Sequence, residues 1–206
     1  YEALEAIRDD PEVRGVILCG AGDRAFCAGA DLTEFGTAPS QVIARQVRWE
    51  RDVWGLFLAL EIPLVAAVHG YVLGSGLEMA LLCDIRIAAD DAVFGLPETS
   101  LGMLPAAGGT QTLPRVIGTG PALDLLLRGR RINAKEAYDL GLVARVVPRH
   151  RLMEEAQEVM DGILASDAEG VRRIKKAVQY GMDMTLAQGL DMEAHLAVEL
   201  FRARGK

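Results

Sequence analysis

Two glutamates stand out for where they fall. Glu78 lies in HGYVLGSGLEMA (69–80), one helical turn past Gly74-Ser75-Gly76. Glu98 lies in GLPETSLGMLPAAGG (95–109), after a proline and before a second glycine-rich turn. A first-turn glutamate can simply complement a helix dipole. The neighbours of Glu78, however, are Leu77, Met79, Ala80, Leu81 and Leu82. A helix apolar on all sides is buried, so a carboxylate on it belongs in a cleft. Glu98 alone reads as a loop carboxylate in water. As a pair, two carboxylates beside one polarised carbonyl can hold a water and move two protons, and proximity raises their proton affinity.

The second ingredient is backbone. FCAGADL (26–32) and GSGLE (74–78) each follow an apolar run that suits a strand, and the latter opens a helix. Such loops leave N–H groups unpaired, and two donors converging from separate loops would form an oxyanion hole. One glycine loop alone would be read as a turn.

These groups need a frame to hold them. Residues 1–9 read as the end of a helix, stopped at Asp10-Pro11. RGVILCG (14–20) and PLVAAVHG (63–70) read as buried strands, with a long amphipathic segment at 39–60 between them. Short strands are expected at 84–90 and 92–98, helices near 110–118, 121–129 and 133–141, and a last strand at 141–148. From Arg149 onward apolar residues recur three and four apart, which predicts about three helices. Alternating strands and helices followed by a helical tail give an α/β class with a helical appendage, divided into 1–132 and 133–206.

The chain has 206 residues, 50% hydrophobic and 25% charged, enough for a substantial core. A net charge of −7 argues against a general nucleic-acid or anionic-membrane surface. Cys19, Cys27 and Cys83 are scattered, and neither cysteine nor histidine clusters, so no disulfide framework or metal site is expected and a reducing compartment is favoured. The apolar stretch near 56–68 contains Glu61 and Pro63 and is no membrane span. The chain starts at Tyr1 within a helix, so a start lost to trimming is expected, with any targeting peptide lost alongside it.

GDRAFCAGADL (22–32), the run from Ile62 to Gly118, and NAKEAYDLGLVARVV (133–147) together resemble the enoyl-CoA hydratase/isomerase, or crotonase, superfamily. The match covers almost the whole chain and is closest to the two-glutamate hydratases. It implies a spiral of β-β-α units with a C-terminal helical region that builds trimers or hexamers. It also implies an enzyme that uses no metal or redox cofactor, with coenzyme A carried as part of the acyl-CoA substrate; the cysteines favour a cytoplasmic location, and an organellar transit peptide stays open. By the same resemblance Ala30 and Ser75 supply the oxyanion-hole N–H groups, while Glu78 and Glu98 are the base and the acid. Arg24 meets the coenzyme A phosphates, and the backbone of Ala28, Ala30, Asp31 and Leu32 meets the adenine. Thr33 stands where a second basic residue is common. Ala106 replaces the first glycine of a GxGG turn, and its N–H helps hold the water. Family members carry about one further β-β-α turn before residue 1, and loss of that turn would expose a sheet edge.

Other residues have plainer readings. Arg45, Arg48 and Arg51 suggest a solvated helix face. Trp49 and Trp54 are expected to pack, His69 to pack or cap, and Cys27 to fill a loop. Three rival functions stay open: a Δ3,Δ2-enoyl-CoA isomerase, which needs only one base; a serine hydrolase using Ser75 with His69 and Asp84; and a noncatalytic assembly subunit. LGSGL does not fit the nucleophile pattern G-x-S-x-G, because Leu73 and Leu77 take its outer positions.

Overall fold

The computed structural model describes residues 1–205. Helix α1 (Glu2–Asp9) leads into β1 (Val16–Cys19) and β2 (Ala25–Cys27), followed by α2 (Gln41–Glu50) and α3 (Val53–Ala59). Next come β3 (Leu64–Val68), β4 (Tyr71–Leu73) and α4 (Ser75–Leu82), then β5 (Ile85–Ala89), β6 (Val93–Gly95) and a 3-10 helix, Pro97–Leu101. Helices α5 (Gly109–Ile117) and α6 (Thr119–Arg128), β7 (Arg131–Asn133), α7 (Ala134–Asp139) and β8 (Arg145–Val147) complete the core. The tail is α8 (Leu152–Leu164), α9 (Ala168–Gly181) and α10 (Leu186–Ala203).

The strands form two four-stranded sheets, ordered β1-β3-β5-β8 and β2-β4-β6-β7. Every pairing is parallel except β6 with β7. From β1 to β6 consecutive strands alternate between the sheets, and helices return the chain, which makes a coil of β-β-α turns. Strand β3 shows why its sequence is continuously apolar. Leu64, Ala66 and Val68 enter the main core, whereas Val65 and Ala67 enter a second cluster under α8 with Ile87, Leu152, Ala156 and Met160. Side chains alternate across a strand, so a strand covered on both faces has no polar position.

Several expectations are corrected. The glycine-rich loop at 20–32 contains β2, and the segment after 70 contains β4, entered through Gly70 at φ 52°. Strand β7 was not expected at all. These strands are three residues long, too short to show a period. The segment 39–60 is two helices, because Asp52 accepts from Gly55 N at 3.0 Å and starts α3 afresh. Trp54 packs on the core, but Trp49 is 80% exposed on a helix with no buried residue.

Helix α9 is joined to the core by Lys175, whose Nζ lies 2.9 Å from Asp84 Oδ2 and donates to the Ile62 carbonyl at 2.8 Å. Asp84 also accepts from Leu64 N at 2.8 Å and from Gln179 Nε2 at 3.2 Å. No helix among the described residues is long and apolar enough to cross a membrane.

Candidate active site

Helix α4 begins at Gly74, whose φ of 53° is a conformation that suits glycine. The first helical bond, Glu78 N to Gly74 O at 3.0 Å, places Glu78 in the opening turn. Apart from Met79, its helical neighbours from Gly76 to Leu82 are buried, and Glu78 itself is only 3% exposed. The carboxylate is aimed at the start of α5. Its Oε1 accepts from Ala107 N at 2.9 Å and from Gly109 N at 2.8 Å. The turn LPAAGGT therefore has a definite task, wrapping its amides around one oxygen. Gly108 takes φ 104°, and a Cβ on Gly109 would stand 3.0 Å from that oxygen.

Glu98 arrives from the opposite side on the Pro97–Leu101 helix. A Cβ on Gly74 would lie 3.3 Å from Glu98 Oε1 and 3.6 Å from the Gly29 Cα. Glu98, the turn that opens α4 and the CAG loop therefore meet at one place. The Oε2 atom of Glu98 is buried with no hydrogen-bond partner among the described residues. Burial raises the Glu98 pKa, and the charge of Glu78 adds to the rise against an opposing hydrogen bond from its own backbone.

The two glycine loops converge as well. A Cβ on Gly76 would lie 2.2 Å from the Cys27 carbonyl, and one on Gly29 would lie 3.5 Å from the Leu73 carbonyl. Only a residue without a side chain permits the first approach. Ser75 N–H heads α4, and neither it nor Ala30 N–H finds an acceptor among the described residues. Ser75 is half-buried and Ala30 exposed.

Arg24, Ala28, Asp31 and Leu32 all lie on the exposed rim beside this loop. Asp31 accepts from Thr33 Oγ1 at 2.7 Å and Thr33 N at 2.9 Å, and these bonds hold its carboxyl below the usual range. Asp31 thus caps the short turn Leu32–Glu34, with Thr33 as its donor, at the position where a second basic residue is common. Ala106 offers its carbonyl to Arg48, so Arg48 is more than part of a solvated face. Sequence reasoning missed Ala107 and Gly109; the turn's glycines were the available signal, but which amides face the carboxylate depends on the fold.

His69 is buried with Nε2 unpaired, and burial, helped by the charge of Arg149, lowers its pKa. Asp84 is fully engaged by Lys175, Leu64 and Gln179, which removes it from any serine triad. Cys27 was expected to fill a loop but ends strand β2, with its Sγ 4.0 Å from the Gly29 carbonyl.

The sequence pattern of the family described as enoyl-CoA hydratase/isomerase matches residues 1–205. The chain belongs to that family. It is 42% identical over 194 residues to a crotonyl-CoA hydratase of Syntrophomonas wolfei, covering 94% of this chain and 74% of the relative. It is 39% identical over 195 residues to a short-chain-enoyl-CoA hydratase of Clostridium acetobutylicum, covering 95% and 75%. The crystal structure of an enoyl-CoA hydratase from Bacillus anthracis superposes with a TM-score of 0.91 at 42% identity, covering 98% of this chain and 78% of that one. The coil of β-β-α turns is thus the crotonase fold of this family.

Proposed function

We propose that the protein is an enoyl-CoA hydratase that adds water across the C2=C3 bond of a trans-2-enoyl-CoA. The observation that carries this reading is the unlike pair of carboxylates beside two closely packed glycine loops. One carboxylate is held by two amides, and the other is buried with a bare oxygen and a raised pKa.

The thioester oxygen accepts hydrogen bonds from Ala30 N–H and Ser75 N–H, which stabilise the enolate-like charge as the C3–O bond forms. Glu78, fixed through Oε1, takes the proton from the adding water. Glu98, whose environment favours the neutral acid, delivers a proton to C2. Exchange with solvent restores both protonation states. Ala106 N–H adds a donor for the water, while Arg24 and the backbone of Ala28, Ala30, Asp31 and Leu32 hold the coenzyme A moiety. Coenzyme A belongs to the substrate, and no step calls for a metal or redox cofactor.

Residues 133–206 form the assembly region in this reading. Exposed Ile174, Val178, Leu186 and Phe201 on α9 and α10 support a trimer or hexamer. We place it in a reducing compartment, the cytoplasm or the interior of an organelle, in keeping with its free cysteines.

The test is loss of the conjugated enoyl absorbance of crotonyl-CoA with wild type, Glu78→Ala and Glu98→Ala. Turnover by wild type that either substitution abolishes supports the hydratase. A wild type that ignores crotonyl-CoA, converts a 3-enoyl-CoA and survives loss of one glutamate would make it an isomerase.

A further inference from the structure

Helix α2 buries none of its residues, and Val42, Ile43 and Val47 are exposed along it. From this helix Arg48 reaches across 58 residues of sequence, its Nη2 donating to the Ala106 carbonyl. That carbonyl and the Ala107 N–H are opposite ends of one planar peptide unit. The far end donates to Glu78 Oε1 at 2.9 Å.

A cationic donor on the carbonyl has two effects on such a unit. It fixes the rotation of the plane, so that the N–H faces the carboxylate. It also draws electron density from the amide, which makes the N–H a stronger donor. The other amide on Glu78, from Gly109, is held separately by α5, so Arg48 acts on one of the two donors only.

We propose that Arg48 is a positioning residue for the reaction, holding the Ala106–Ala107 peptide so that it orients Glu78, and thereby linking exposed helix α2 to the buried carboxylate. The proposal rests on the reading of Glu78 as the base that activates water.

The experiment compares wild type, Arg48→Gln, Arg48→Lys and, as a control on the same helix, Arg45→Gln. Crotonyl-CoA kinetics are combined with amide resonances of Ala107 and Gly109 in the full chain. Removing one charge-assisted hydrogen bond should lower kcat by about 10- to 100-fold. KM should stay within about twofold, since the interaction serves the chemical step rather than binding. Arg48→Lys should recover most of the loss, and Arg45→Gln should match wild type. The Ala107 amide proton should move upfield in Arg48→Gln while that of Gly109 holds. An unchanged kcat, an equal loss in Arg45→Gln, or a stationary Ala107 resonance would each overturn the proposal. If wild type itself fails to hydrate crotonyl-CoA, the proposed function falls, and the Ala107 resonance still decides whether Arg48 governs this peptide.

Discussion

Glu78 rises from an eight-residue helix with six buried residues, whereas Glu98 sits on a five-residue 3-10 helix that buries none. The first carboxylate is met by two backbone amides; the second has a buried oxygen that nothing meets. Identical side chains are thereby made unlike. Two amides at the entry to α5 fix Glu78 Oε1 in place. Desolvation at Glu98 favours the neutral acid. The difference teaches that backbone placement and burial together can give two identical carboxyl groups unlike surroundings.

The most forceful way to break this contrast is to remove either carboxyl group. Glu78→Gln and Glu98→Gln should each lower kcat for crotonyl-CoA hydration by about 10²- to 10⁴-fold, the usual worth of a positioned acid or base, measured as initial rates at saturating substrate. A subtler disturbance is Gly109→Ala. Its Cβ would stand 3.0 Å from Glu78 Oε1, from Leu96 Cδ1 and from Pro105 Cβ, so the amide cradle must open. We expect kcat to fall about tenfold or more, with a melting temperature lower by several degrees, as overpacking costs about 1–3 kcal/mol.

Titrating Glu98 sharpens the comparison further. Carbon-13 titration of its carboxyl should give a midpoint above the ordinary carboxylate range. In Glu78→Gln the midpoint should fall only part of the way back, because burial is the larger cause and the charge of Glu78 the lesser. A complete return would reverse that order of causes.

The smallest effect concerns stability. A carboxyl whose pKa is raised in the folded state favours folding while protonated. That contribution is fully present below the unfolded value and is lost as pH rises through the folded one. Glu98→Gln should therefore melt above wild type at alkaline pH, with the difference shrinking as pH falls through the raised folded value and levelling off below the ordinary carboxylate range. Thermal scans across pH would show it, and a constant difference would contradict it.

Much of this site was legible in the sequence because it depends on chain order. Gly74-Ser75-Gly76 announces the turn, and the apolar residues around Glu78 announce its burial. The helices were readable too, since 3.6-residue periodicity survives over ten residues or more. The three-residue strands β2, β4 and β7 carry no such period, and only their partners define them. The Glu78 cradle was hidden for a related reason. Ala107 N–H and Gly109 N–H carry no side-chain signature, and their direction is fixed by the docking of α5 on α4. Trp49 misled because aromatic residues usually find a core, whereas α2 has none beneath it. Arg48 was obscured by periodic spacing with Arg45 and Arg51, which looks like an ordinary wet face.

The sheet registers bear on how the molecule is made. Val16 pairs with Leu64, Val65 with Ile85, Ile87 with Arg145, and Val93 with Asn133, so no two neighbouring strands are joined by a tight hairpin. Parallel pairing requires a long crossover, and each such closure loses chain entropy before its contacts return anything. Folding must then proceed by winding successive turns onto those already formed, at the slow end of the range for a chain of this size. The late strand β8, which closes the far edge of the first sheet, leaves β5 unpaired on that side until residue 145 has docked. A nascent chain that has not yet reached residue 145 would carry both glutamates and yet present an open apolar edge.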